Sequence, residues 1–153
     1  MKKLISQLMI MGLFHTSVIF AHTGASGIIK ERMESMKVLS AESKAVSKIL
    51  KGKTPYSEEV VKTAADNFVF HAEAMRTHFP DTVESREGNL TEALSSIWLK
   101  NTEFNKQVER FVSRANAFRD SAYSTSDLDA LSESYIEVAK ECRSCHKVYR
   151  KPK

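Results

Sequence analysis

The chain has 153 residues, 42% of them apolar and 27% charged, a balance that excludes a disordered or fibrous protein and fits one domain with a real core. Formal net charge is +4, and Lys2 and Lys3 supply half of it, so the remainder is too weakly basic to suggest a nucleic-acid binder.

The opening stretch, "MKKLISQLMIMGLFHTSVIFA", sets two lysines ahead of an apolar run that closes on small Ala21, the layout of a secretory signal peptide. Cleavage is expected after Ala21, or a few residues later after Ala25. An uncleaved anchor is the competing reading, since Leu4 to Ala21 is nearly long enough to span a bilayer. Ser6, Gln7, His15, Thr16 and Ser17 weaken it, and no second long apolar run follows. Residues 22–153 should therefore form one exported domain that leaves the membrane once the leader is removed.

Gly and Pro are scarce and no polar/apolar alternation persists, whereas helical spacing recurs four times, so the fold class is all-α. The first segment, about 27–50, carries Ile29, Met33, Met36, Leu39, Ser43, Val46 and Leu50 at steps of three and four, and Gly52 ends it. The second starts at Ser57, an N-cap followed by Glu58 and Glu59 at the positive end of the helix, and runs to about His78. Its stripe is Val61, Ala64, Phe68, Ala72, Met75 and Phe79, with Pro80 as the stop. The polar connection "PDTVESREGNL" comes next, then "TEALSSIW" with a short helical turn. The third long helix, about Thr102 to Ala122, presents Phe104, Val108, Phe111, Ala115, Phe118 and Ala122. The fourth takes Ser126 as N-cap, with Asp127 and Asp129 in its first turn, and its stripe is Leu128, Leu131, Tyr135, Val138, Cys142, Cys145 and Tyr149. Four helices of similar length with seven-residue apolar repeats predict an antiparallel up-down-up-down four-helix bundle around one core.

The fourth stripe lands on the only two cysteines of the chain, which with His146 spell Cys-x-x-Cys-His on an inward helical face. A c-type haem needs two thiols for its vinyl groups and an imidazole for its iron, and this spacing offers all three within about one turn. Export agrees with it, because such attachment takes place outside the bacterial cytoplasm. A structural zinc site would need further ligands, for which only His71, His78 and His22 are at hand. A thioredoxin-like pair belongs at a helix N-terminus, the opposite end of the dipole. A disulfide across one helical turn is geometrically poor and leaves His146 unexplained. Lys140, Arg143, Lys147, Arg150, Lys151 and Lys153 crowd the same end; cations suit the negative end of a helix, and a docking patch for an acidic partner is the second reading.

"CRSCHKVYRK" at the C-terminus, "TEAL" and "IW" ending at Trp98, "FP" at Phe79 and Pro80, "PY" at Pro55 and Tyr56, and "IKERMESM" near the start of the domain together resemble the cytochrome c prime family and its low-spin relatives. The resemblance implies one covalent haem c, with thioether links from Cys142 and Cys145 and the proximal iron bond from His146. It also implies that Arg32 lies near the haem propionates and that Met36, four residues on, stands over the open face of the iron. Met33, Thr91 and Glu92 are further implied haem contacts, and Arg150 resembles the basic residue that often follows the motif. Family members that dimerise use their first two helices; the polar outer face of the first helix here leaves a monomer or a homodimer.

Met36 decides the function. A thioether that reaches the iron gives a closed His/Met site and a periplasmic carrier of one electron with transient redox partner proteins. The alternative is a five-coordinate, high-spin protein that binds small gases such as NO or CO, with Met36 filling core as buried methionines usually do. Met33, one turn away, is the internal alternative to Met36, and His71 and His78 are other conceivable iron ligands. A haem peroxidase would want a distal acid/base, and no His or Arg is placed for it, so no enzyme activity is expected.

Overall fold

The computed structural model describes residues 25–152, so the expected leader, His22 and Lys153 lie outside it. Its helices are α1 (Gly27–Leu50), α2 (Glu58–Ala74), α3 (Val83–Glu87), α4 (Ser96–Leu99), α5 (Asn101–Ser124) and α6 (Leu128–Tyr149). The long ones, α1, α2, α5 and α6, form the antiparallel four-helix bundle. α1 packs on α2, α2 on α5 and α5 on α6, while α1 and α6 meet only sparsely, so one side of the bundle is open.

Caps and stripes account for most of this. Ser57 accepts from the Val60 amide and starts α2, and Glu58 and Glu59 follow on its positive end. All six stripe residues of α5 are buried, and Phe118 is fully so, with ring centroids 5.9 Å from Phe68 and 5.7 Å from Tyr135. Burial of each such side chain contributes ~1.5–3 kcal/mol.

Four expectations need correction. The N-cap of α6 is Asp127, not Ser126: its Oδ1 accepts from the Asp129 and Ala130 amides, at 2.8 and 3.1 Å, which moves the first turn on by one residue. Leu128, now in that first turn, is exposed rather than in the core. α2 ends at Ala74, with Met75 to His78 in a looser turn before Pro80. On α1 the most buried side chains include Arg32, Ser35 and Ile49, while Met33, Met36 and Leu50 are half-buried, because the open side of the bundle leaves that face partly uncovered.

The long connection, expected from its polar sequence to be loop, holds α3. Thr82 caps it through the Ser85 amide, and it lies tight against the start of α1. A Cβ on Gly88 would collide with Ile29 Cδ1 and the Glu84 carbonyl, so this approach requires glycine. Further on, Trp98 Nε1 donates to the carbonyls of Phe79 and Pro80, at 3.2 and 3.1 Å. The separate "FP" and "IW" motifs are thus two halves of one clasp across the connection.

Candidate functional site

Cys142 and Cys145 sit one turn apart on α6, half-buried, and both pack on the main hydrophobic core. His146 follows on the exposed flank. A groove of about 460 Å³ runs beside them, lined by Cys142, Arg143, His146, Lys147, Arg150 and Lys151. Burial raises the Cys142 thiol above its ordinary range and pushes the Cys145 thiol up to about 11. Redox dithiols and metal thiolates draw on the opposite shift, so these are neutral thiols in an apolar setting.

Behind the motif, buried Gln107 of α5 donates to the Glu141 carboxylate and, at 3.0 Å, to Ser144 Oγ, which fixes the rotation of the motif's turn. At its C-terminal side, Leu94 N donates to Tyr149 O and Lys151 N to Glu92 O, at 2.9 and 2.8 Å. The Glu92 carboxylate also pairs with Arg150, at 2.7 Å to Nε and 2.6 Å to Nη2, and Thr91 O accepts from Lys151 Nζ. Thr91 and Glu92 therefore stand beside the motif as the strap that anchors its end. Glu92 itself is exposed, and Arg150 lines the groove.

The facing side is α1. Met36 packs on the same core cluster as Cys142 and Cys145, whereas Met33 is half-buried and is not among the side chains packed there. Arg32 is 6% exposed; its Nη2 donates to Ser85 O at 2.8 Å and its guanidinium lies 4.9 Å from the Phe79 ring centroid. Burial lowers its pKa from the ordinary value, against an upward pull from Glu84. Arg32 Nη1 and the Oγ of fully buried Ser85 are both buried without a partner. Two unpartnered donors on adjoining residues are costly unless an acceptor joins them, and a carboxylate is the acceptor they suit. Nothing in the sequence marks Ser85, since a serine inside "PDTVESREGNL" carries no pattern that distinguishes it as buried.

His71 and His78 also keep a buried, unpartnered Nδ1. His71 faces the α1 side, where Asn67 binds Glu42 at 2.7 Å, and burial followed by His78 lowers its pKa against the pull of Glu42. Farther along α6, the Tyr135 hydroxyl donates to Ser43 O at 2.8 Å and Ser43 Oγ donates to it at 2.7 Å. This link joins α1 to α6 and bounds the open side above the motif.

A four-helix bundle whose last helix carries a Cys-x-x-Cys-His with both thiols on the core and His146 on the exposed flank rather than on the inward face expected for it, together with a buried carboxylate-seeking pair, defines the bundle class of c-type cytochromes. The family model described as Cytochrome C' matches residues 27–150. The chain belongs to that family, whose members bind one covalently attached haem c.

Among its relatives, cytochrome c-556 of Agrobacterium tumefaciens is 26% identical over 125 residues, 82% of this chain and 98% of that one. Cytochrome c-556 of Rhodopseudomonas palustris is 27% identical over 125 residues, 80% and 77% of the two chains. The solved cytochrome c prime from Shewanella frigidimarina superposes with a TM-score of 0.74 at 28% identity, covering 82% of this chain and 94% of its own. The residues present fit the family's cofactor: paired apolar thiols, a neighbouring imidazole and an acceptor-seeking Arg32–Ser85 pair.

Proposed function

We propose that the protein is an exported carrier of one electron in which Cys142 and Cys145 would hold the haem covalently and His146 and Met36 would bind its iron. The observation that supports this reading is that half-buried Met36 and both cysteines edge the bundle's one core on α1 and α6, the two helices that border its open side. Bound haem supplies a one-electron iron couple, whose potential a thioether ligand raises.

The chain's own residues do the rest. Arg32 Nη1 and Ser85 Oγ would hold a propionate carboxylate in place of the partners they lack. The Glu92–Arg150 pair and the Thr91–Leu94 strap keep the motif's end in position, and Gln107 keeps its turn facing inward. Arg143 and Lys147 on the groove meet an acidic redox partner transiently, with Arg150 and Lys151 beside them. Arg32, a buried cation, binds Ser85 O and lies over Phe79, and the reading includes no turnover of substrate. Residues Lys30, Glu31, Glu34, Lys37, Lys44 and Lys48 are exposed on α1, which supports a monomer. No helix among the described residues is long and apolar enough to cross a membrane.

Two measurements test this reading. The ferric protein should be low-spin, with a near-infrared charge-transfer band that Met36→Ala abolishes; a high-spin spectrum would assign the five-coordinate gas-binding form instead. Mass spectrometry of the exported protein should find its N-terminus at His22 or Ser26, and a retained leader would contradict release from the membrane.

A further inference from the structure

Beyond the Ser43–Tyr135 link the groove between α1 and α6 opens again, at the end of the bundle away from the cysteines. Here a cavity of about 280 Å³ is lined by Lys44, Lys48, Lys51 and Lys53 and by the hydroxyl residues Ser43, Ser47 and Tyr135. No carboxylate is in the lining. The lysines that form ion pairs among the described residues are Lys37, Lys62 and Lys140, so all four cations of this cavity lack an anionic partner there.

The backbone assembles them. Gly52, at φ +64°, lets the chain turn back after α1; its amide donates to Ile49 O at 2.9 Å and the Lys53 amide to Lys48 O at 2.8 Å. This Schellman closure brings Lys53, which lies past the helix, back beside Lys48. Lys44 and Lys48 are i, i+4 neighbours, and Ser47 sits between them on the same rim. Cations in the last turn of a helix ordinarily offset its dipole, which accounts for Lys48 and Lys51. It does not account for Lys44 a turn earlier, for Lys53 beyond the end, or for the hydroxyls that share the cavity. Tyr135 and Ser43 spend their protons on each other and on Ser43 O, which leaves Ser47 Oγ as the uncommitted donor.

We propose that this cavity is a binding site for a phosphate-type oxyanion, held by the four ammonium groups as point charges and by Ser47 Oγ. Its size suits a phosphate or diphosphate group. His146 is eleven residues from Tyr135, ~16 Å along the axis of α6, so an anion held here leaves the motif groove open to a redox partner. The oxyanion chemistry is shared by free phosphates and by the headgroup of an anionic phospholipid.

The test uses haem-loaded protein at low ionic strength in two arms: titration calorimetry with inorganic pyrophosphate, and co-sedimentation with phosphatidylglycerol vesicles against phosphatidylcholine vesicles. The Lys48→Gln/Lys51→Gln pair should weaken binding about tenfold, whereas Lys30→Gln/Lys106→Gln, with the same change in net charge, should leave it unchanged. Pyrophosphate binding with that pattern supports a free phosphate as the ligand, and vesicle binding with that pattern supports a headgroup. Absence of binding in both arms, or equal weakening by the two pairs, overturns the proposal. All four substituted side chains are exposed, and an unchanged absorbance spectrum and melting temperature verify that each variant is folded.

Discussion

Replacement of Tyr135 by Phe removes the hydroxyl of a hydrogen-bonded link between α1 and α6 and keeps the ring that packs on Phe68 and Phe118. Two bonds are lost, at 2.8 and 2.7 Å, between residues 92 apart in sequence. Each is worth ~0.5–1.5 kcal/mol net, which sets an upper bound of ~3 kcal/mol. Ser43 O keeps its place in the helix ladder and half-exposed Ser43 Oγ can turn to water, so nothing is left orphaned and the cost should be ~1–2 kcal/mol.

Urea denaturation of the haem-loaded protein, followed by circular dichroism, measures it. A cycle with Ser43→Ala should give a coupling of ~0.5–1.5 kcal/mol. Burial raises the Tyr135 phenol above its ordinary value, with the Ser43 bond opposing. The folded state therefore favours the neutral phenol. That contribution is complete below the unfolded value of ~10 and is lost as pH rises through the raised folded one. The unsubstituted protein should thus lose stability more steeply above pH ~10 than Tyr135→Phe does. A variant within ~0.3 kcal/mol of the parent at neutral pH, or a coupling of zero, would refute the assignment of this link.

Cys142→Ser with Cys145→Ser should leave no haem attached after acid-acetone extraction; a full covalent complement in the double variant would contradict the role of the motif. Ser85→Ala should make the midpoint potential more pH-dependent between about pH 5 and 8, because one donor to the carboxylate is lost and its proton affinity rises; Arg32→Leu should do so more strongly. Gly88→Ala should destabilise the fold by ~1–3 kcal/mol in urea, since the new methyl meets the Glu84 carbonyl as well as a movable Ile29 side chain; an unchanged midpoint would mean that α3 is not held against α1 as described.

Long periodic stripes were the legible part of the fold. The α5 stripe is buried throughout, and the α6 stripe is buried at Leu131, Tyr135, Val138 and Tyr149 and sets both half-buried cysteines against the core, because period 3.6 maps directly onto one helical face. Two polar stripe members, Ser43 and Tyr135, turn out to bond each other, a pairing that their shared place on inward faces could have suggested. Less was legible where tertiary contact overrides periodicity. Arg32 is buried because it meets Ser85 and Phe79 from a connection with no apolar repeat, and α3 is only five residues long. Asp127 displaced Ser126 as cap because its carboxylate reaches two amides of the next turn, a choice between adjacent capping residues that sequence alone does not rank. Glu92 reads from sequence as a residue before the tryptophan; its pairing with Arg150 needs the chain to close over 58 positions.

Absorption spectra of the oxidised and reduced protein, with Met36→Ala beside it, test the account most directly. A closed His146/Met36 site predicts a low-spin ferric spectrum, a near-infrared methionine-iron band and the loss of that band in the variant. A high-spin ferric spectrum in the unsubstituted protein, unchanged by Met36→Ala, would contradict the electron-carrier reading.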